Sequence, residues 1–212
     1  APFEQVSGAS SDGSRSEGSD MDVVADSGAV GAELHGVDLG RLDDALFASV
    51  HEALLAHGYV FARNQTLDPE ALCALGRRWG PLHVHPYMPG LSTHPAVIEI
   101  VKKETDVHTF GGAWHTDQMF TPTPALGTML YAIEVPAAGG DTLFGDLALA
   151  YESLSPRMQA LLRPLRTVNI YDKKRKRASE MQRKVVAEDE PAEQAVHPLV
   201  RAHPETGREV LY

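Results

Sequence analysis

A histidine and an aspartate two residues apart are the first residues that could do chemistry, in GGAWHTDQMF at 111–120. Along an extended backbone, side chains two positions apart point to the same face. If residues 114–120 are extended, His115 and Asp117 therefore offer an imidazole nitrogen and a carboxylate oxygen together. Such mixed ligands suit Fe(II), Mn(II) or Zn(II), and a second histidine would complete the facial triad of non-haem iron sites. The pair alone is a weak signal, because most such pairs are surface polar residues.

Two further segments carry residues that could bind a metal or a small anion. In GGDT, Gly139 and Gly140 allow a tight backbone turn, and the hydroxyl of Thr142 can donate a hydrogen bond to an anion. The alternative for Thr142 is a turn hydroxyl that bonds to local backbone. In HVHP, His83 and His85 have the spacing of a His-x-His zinc pair, but spacing places no third ligand beside them.

Taken in order, five segments give the chain a resemblance to the TauD/TfdA family of Fe(II)- and 2-oxoglutarate-dependent dioxygenases, from about Gly31 to Tyr212. They are GAELHGVDL, RRWGPLHVHP, WHTD, VPAAGGDTLFGDLALAYESLSP and HPLVRAHPETGREVLY. The resemblance implies a double-stranded β-helix, or jelly roll, with His115 and Asp117 as two iron ligands. It also implies that Thr142 hydrogen-bonds a carboxylate of 2-oxoglutarate.

The resemblance further implies a third iron ligand, a distal histidine, and an arginine that pairs with the other 2-oxoglutarate carboxylate. Both are expected beyond Tyr212, so we expect residues 21–212 to form a dioxygenase domain that is incomplete at its C-terminus. His197 and His203 are tempting substitutes, but each precedes a proline, which favours an extended or turn backbone. Both are predicted to be turn histidines rather than metal ligands.

The substrate side of the resemblance depends on His85. In the family, the histidine before this proline contacts the acidic head group of the substrate. A neighbouring family aromatic does not carry over to Tyr87, which lies one residue closer. The taurine-type enzymes have an asparagine shortly before the metal motif, where this chain has Gly-Gly-Ala at 111–113. Taurine itself is therefore disfavoured, while a sulfonate, a sulfate ester, or an aryloxy or other carboxylic acid stays open.

The reaction that the resemblance implies converts 2-oxoglutarate and O₂ to succinate and CO₂, and hydroxylates a C–H bond beside an acidic group. Two alternatives stay open. One is a zinc-dependent hydrolase of cupin-like fold that uses His83, His85 and His115 to lower the pKa of a bound water. The other is a catalytically incomplete fragment of the dioxygenase fold. Release of succinate distinguishes the dioxygenase from the hydrolase.

Composition and charge argue against several other classes of protein. The net charge of −10 disfavours nucleic acid as a partner, and KKRKR at 173–177 is predicted to be a solvated loop near acidic EDE at 188–190. No apolar run is long enough for a membrane span, and no secretory signal is recognisable. Cys73 is the only cysteine, which excludes a Cys-based zinc site and agrees with a cytoplasmic location. The expected partner is a small anionic molecule, with homo-oligomer formation left open.

The elements that must position these residues follow from periodicity and capping signals. Residues 1–20 are rich in serine and have no apolar period, so they are predicted to be a disordered tail or a cloning remnant. Helices are predicted over 43–58, 67–80 and 156–163, and strands over 59–63, 96–102 and 126–135. Helices come first and strands later without βαβ alternation, which predicts an α+β class. The resemblance adds a jelly-roll core with flanking helices, and Trp114 is predicted to pack in that core.

Overall fold

The computed structural model describes residues 21–106, 111–171 and 193–212. The predicted tail and the two charged segments, KKRKR and EDE, lie outside these residues. In chain order the described elements are β1 (Asp22–Ala25), β2 (Ala32–His35), α1 (Asp44–His57), β3 (Val60–Phe61), α2 (Pro69–Arg77), α3 (Leu147–Glu152), α4 (Pro156–Leu162), β4 (Arg166–Ile170), β5 (Gln194–Pro198), β6 (Val200–Ala202) and β7 (Glu209–Leu211).

The first two helices begin where the capping signals predict, and α2 ends three residues before Gly80, the predicted stop. The carboxylate of Asp43 accepts a hydrogen bond from the backbone N–H of Leu46, and α1 ends at Gly58, whose φ of 79° suits glycine. Asp68 caps α2 in the same way, and Pro69 occupies the first turn, where its missing N–H costs no hydrogen bond. Both helix predictions are confirmed to within a few residues.

The N-terminal part of the chain packs α1 against a small sheet. Strand β1 pairs with β2 antiparallel, and β2 pairs with β3 parallel. Leu34 on β2 and Val50 and Ala53 on α1 are buried together with Val37, and Trp79 packs against them from the end of α2. These residues form a hydrophobic core between α1 and the sheet.

The C-terminal part consists of two strand pairs joined to two short helices. Strands β4 and β5 pair antiparallel, as do β6 and β7. Arg163, which follows α4, pairs bidentately with Glu209 on β7 at 2.9 and 2.7 Å. Arg208 donates to Glu152 at the end of α3 and lies 3.5 Å from Asp146, the cap of that helix. These ion pairs tie the helices to the last hairpin.

The strands predicted over 96–102 and 126–135 are not formed. Both segments are described without strand structure, and Leu130, Ile133 and Val135 are exposed. Their β-branched and aromatic composition stabilises a strand only where a neighbour completes the ladder, and no described strand pairs with them. The described residues otherwise mix helices with small, mostly antiparallel sheets, as expected of an α+β protein. No helix in the described part combines the length and apolar character needed to cross a bilayer.

Candidate metal centre

His115 and Asp117 come together as predicted, although on a different backbone. Nε2 of His115 lies 3.2 Å from Oδ1 of Asp117, and both side chains are about half exposed, at 53% and 55%. The extended backbone considered for residues 114–120 is not formed, because residues 117–120 form a turn in which Gln118 has a φ of 53°. The side chains converge because the chain turns at Asp117, which brings its carboxylate back toward the preceding imidazole.

The backbone also sets the orientation of the His115 ring. Nδ1 of His115 lies 2.6 Å from the carbonyl oxygen of Ala113. A carbonyl oxygen only accepts hydrogen bonds, so Nδ1 carries a proton and Nε2 is the ring nitrogen that faces Asp117. Histidines that bind metals commonly donate their other ring N–H to such an oxygen.

Asp117 is held by a threonine that sequence reasoning missed. The Oγ1 hydroxyl of Thr128 donates a hydrogen bond to Oδ2 of Asp117 over 2.9 Å. The contact turns the second carboxylate oxygen, Oδ1, toward His115. Thr128 lies in the run LGTML, which was predicted to be part of a strand, and its single hydroxyl was the only sequence signal for this role.

The turn after Asp117 leads into a buried aromatic cluster. The rings of Tyr87 and Tyr171 stack with centroids 4.0 Å apart, and the Phe120 centroid lies 4.8 Å from that of Tyr171. Burial, and then the nearby Glu193, raise the pKa of the Tyr171 hydroxyl. The cluster packs Phe120, three residues after Asp117, against Tyr171, which directly follows β4.

His85 reaches this cluster from its other side. Its Nδ1 accepts the backbone N–H of Tyr87 at 3.0 Å, and the two rings lie 6.3 Å apart. Tyr87 in turn lies 5.9 Å from Phe120, three residues after Asp117. Through the rings of Tyr87 and Phe120, the structure therefore connects His85 to the turn at 117–121, which we call the metal turn. It does not bring His85 into a group of metal ligands with His83 or His115.

The GGDT segment turns as predicted. Gly139 and Gly140 have φ values of 79° and 80°, which confirms the tight turn that glycine permits. Two residues after Thr142, the ring of Phe144 stacks on Tyr59 with the centroids 4.0 Å apart, which holds the segment against the N-terminal sheet. Thr142 is exposed, and within the described residues it makes no hydrogen bond to either member of the metal pair.

Trp114 does not pack in the core, contrary to the prediction. Its side chain is 73% exposed. The indole lies beside Gly145, where a Cβ atom would be 3.8 Å from Cζ3 of the ring. Because Trp114 precedes His115, this contact brings the segment that follows Thr142 close to the metal motif.

His197 and His203 were both predicted to be turn histidines, and the prediction is correct for one of them. His203 lies in a turn, as predicted, where its Nδ1 accepts the backbone N–H groups of Glu205 and Thr206. His197 is not a turn histidine. It lies within β5 with a side chain only 6% exposed, and its Nε2 contacts two backbone carbonyls of the metal turn. Proline at 198 ends the strand rather than preventing it.

The donor set fits a divalent first-row metal as two of its ligands. One imidazole nitrogen and one carboxylate oxygen face each other, and both side chains are about half exposed. Among residues 21–106, 111–171 and 193–212, no three His, Cys, Asp or Glu side chains form a group that could hold a metal. The zinc site that the hydrolase alternative requires, with His83, His85 and His115, is therefore not assembled among the described residues.

A family model, two curated proteins and a solved structure are similar to this chain. The model of the family described as "Taurine catabolism dioxygenase TauD, TfdA family" matches residues 23–212. A solved taurine dioxygenase from Burkholderia xenovorans is 35% identical, with a TM-score of 0.72 over 91% of this chain and 62% of that chain. An alpha-ketoglutarate-dependent sulfonate dioxygenase of Saccharomyces cerevisiae is 29% identical over 86% of this chain and 46% of its own length. An alpha-ketoglutarate-dependent sulfate ester dioxygenase of Pseudomonas putida is 29% identical over 91% and 65%. The chain thus spans about half to two thirds of the length of these relatives.

Proposed function

Because the chain belongs to the TauD, TfdA family of taurine catabolism dioxygenases, we propose that the full-length protein is an Fe(II)- and 2-oxoglutarate-dependent dioxygenase. It consumes O₂ and 2-oxoglutarate, hydroxylates a C–H bond of a small anionic substrate, and releases succinate and CO₂. The observation that carries the proposal is the 3.2 Å approach of His115 Nε2 to Asp117 Oδ1 within the family's metal motif.

His115 and Asp117 are proposed to hold the iron through Nε2 and Oδ1. The carbonyl of Ala113 keeps the His115 ring in the tautomer that can bind a metal, and Thr128 occupies the carboxylate oxygen that does not face His115. Iron, when bound, supplies the activation of O₂ that side chains do not provide. The resemblance implies a distal histidine as the third ligand and an arginine as the partner of the second 2-oxoglutarate carboxylate.

Thr142 is proposed to donate a hydrogen bond to a 2-oxoglutarate carboxylate. Its exposure leaves the hydroxyl accessible, and the two left-handed glycines set the course of the backbone that presents it. The contact between Trp114 and Gly145 supports the role, since it relates this segment to the residue before His115. The proposed task of Thr142 is to bind and orient the anion.

His85 is proposed to contact the acidic group of the substrate. Because its Nδ1 accepts the Tyr87 N–H, the neutral ring carries its proton on Nε2, which can donate to an anionic head group. Relatives named for sulfonates and for sulfate esters support these two substrate classes, and aryloxy or other carboxylic acids belong to the same anionic class. A cytoplasmic location and homo-oligomer formation stay predictions from the sequence.

The test is succinate formation by the full-length protein with Fe(II), 2-oxoglutarate and O₂ across a panel of alkyl sulfonates, alkyl sulfate esters and aryloxy acids. One class is expected to yield succinate and hydroxylated product in equal amounts. Replacement of Fe(II) by Zn(II) is the control and is expected to stop the reaction. Substrate turnover with Zn(II) and without 2-oxoglutarate would instead establish the hydrolase alternative.

A further inference from the structure

We propose that His197 is a positioning residue for the metal pair, because its imidazole fastens the turn that begins at Asp117. The inference rests on the proposed function, in which Asp117 binds the metal. His197 contacts neither proposed ligand, so any effect it has on metal binding must pass through the backbone of that turn.

The contacts of His197 fix both its tautomer and its partners. Its Nε2 lies 2.9 Å from the carbonyl oxygen of Met119 and 3.0 Å from that of Thr121. Carbonyl oxygens only accept, so Nε2 carries a proton and shares it between the two. The ring is buried, and Tyr212 meets it edge-on with the centroids 5.2 Å apart. Strand β5 thus holds the metal turn from a position more than 70 residues along the chain.

The turn needs such support because its own conformation is unfavourable. Gln118 has a φ of 53°, in the left-handed region that side-chain-bearing residues avoid. Its Oε1 is buried and has no hydrogen-bond partner among the described residues, which adds a desolvation cost. Within the turn, the N–H and hydroxyl of Thr121 both donate to the carbonyl of Gln118. From outside the turn, His197 holds two of its carbonyls, in addition to the packing of Phe120 and the hydrogen bond from Thr128.

A change in this turn would be felt first at the metal pair. Asp117 directly precedes Gln118, so relaxation of the left-handed φ swings the Asp117 carboxylate relative to His115. The contact at risk is the 3.2 Å approach of Oδ1 to Nε2, which sets how the two groups meet one metal ion. We therefore expect loss of the His197 donor to weaken metal binding although the two ligands are intact.

The experiment compares two amide substitutions that differ in reach. His197→Gln places an amide N–H about where Nε2 lies, whereas the shorter His197→Asn does not reach the two carbonyls. The matched control is His203→Asn, since His203 lies nearby in the turn between β6 and β7 and its Nδ1 accepts backbone N–H groups of that turn. In the full-length protein, Mn(II) binding without 2-oxoglutarate is measured by the electron paramagnetic resonance signal of the free ion, alongside the thermal unfolding midpoint.

The Asn variant of His197 is expected to bind Mn(II) on the order of tenfold more weakly, at the low end of the effect of groups that support metal ligands. The Gln variant of His197 and the His203→Asn control are expected to bind as the wild type does. A purely stabilising role predicts a lower unfolding midpoint with unchanged Mn(II) affinity of the folded protein, and that result overturns the proposal. A Gln variant that folds normally yet binds Mn(II) more weakly than the wild type also overturns the proposal. This comparison tests the proposal even where the Asn variant does not fold.

The wild-type measurement separates this inference from the proposed function. If the wild-type protein binds Mn(II) and forms succinate with Fe(II), and the Asn variant binds Mn(II) equally well, only the role of His197 is disproved. Wild-type protein that neither binds Mn(II) nor forms succinate removes the proposed function, and the role of His197 with it.

Discussion

Thr128 donates a hydrogen bond to Oδ2 of Asp117 over 2.9 Å, so that the carboxylate turns its other oxygen to His115. Free rotation of the Asp117 side chain would move its carboxylate away from Nε2 of His115. The hydrogen bond from Thr128 restricts this rotation in the folded chain. The energy of orienting the carboxylate is therefore spent in folding rather than in binding.

Substitution Thr128→Val keeps the shape of the side chain and removes its hydroxyl. Metal binding is expected to weaken by roughly 10-fold, because loss of a hydrogen bond to a ligand commonly costs 10–100-fold in affinity. Thr128→Ser retains the donor and is the matched control. Mn(II) titration of the full-length variants checks this, and equal affinities for the valine and serine variants would show that Thr128 does not orient Asp117.

The ion pair between Arg163 and Glu209 predicts how stability responds to acid. The hydrogen bond from Arg163, followed by its charge, holds the pKa of Glu209 below the ordinary 4.5. A carboxyl with a depressed folded-state pKa contributes stability that is complete above its unfolded pKa. That contribution is lost as the pH falls below 4.5 and through the lower folded-state pKa.

The measurement is the thermal unfolding midpoint of wild type and Glu209→Gln near neutral pH and below pH 4.5. The variant is expected to be slightly less stable at neutral pH and to converge with the wild type in acid. The effect is small because the pair is partly exposed to solvent. A constant difference between the two proteins across this range would show that Glu209 does not titrate differently in the folded and unfolded states.

Local signals predicted well where the stabilising contacts are local. Asp43 and Asp68 cap helices through N–H groups three residues ahead, and His115 and Asp117 meet only two residues apart, although not on an extended backbone. The strands at 96–102 and 126–135 failed because strand structure depends on a partner that composition does not specify. A pattern of apolar residues fixes what a segment prefers to bury, but not whether a neighbour covers it.

Contacts between distant residues explain what the sequence hid at the site. Thr128 lies 11 residues from Asp117, and His197 lies 76 and 78 residues from the carbonyls it contacts. Neither has a spacing motif, because each acts through one hydrogen-bonding atom placed by the fold. His197 was taken for a turn histidine from its proline neighbour, yet that proline closes a strand.

Substitution of either proposed ligand tests the metal site directly. His115→Ala and Asp117→Ala each remove one ligand, and both are expected to abolish Fe(II)-dependent decarboxylation of 2-oxoglutarate by the full-length protein. Because both side chains are about half exposed, their removal leaves the core intact and should not lower the unfolding midpoint. Succinate formation and thermal unfolding are measured together, and full activity in either variant would remove that residue from the metal site.

Thr142 separates binding of the cosubstrate from binding of the metal. Thr142→Val would remove the proposed hydrogen bond to a charged carboxylate, worth roughly 1.5–3 kcal/mol, so 2-oxoglutarate affinity is expected to fall about 10- to 100-fold. Mn(II) binding should be unchanged, because Thr142 makes no described hydrogen bond to His115 or Asp117. The control Thr142→Ser keeps the donor and should retain affinity for 2-oxoglutarate. The measurement is 2-oxoglutarate titration of the Mn(II)-loaded, full-length protein. Equal affinity in the valine and serine variants would mean that this hydroxyl serves its own turn, and the 2-oxoglutarate carboxylate would then need another donor.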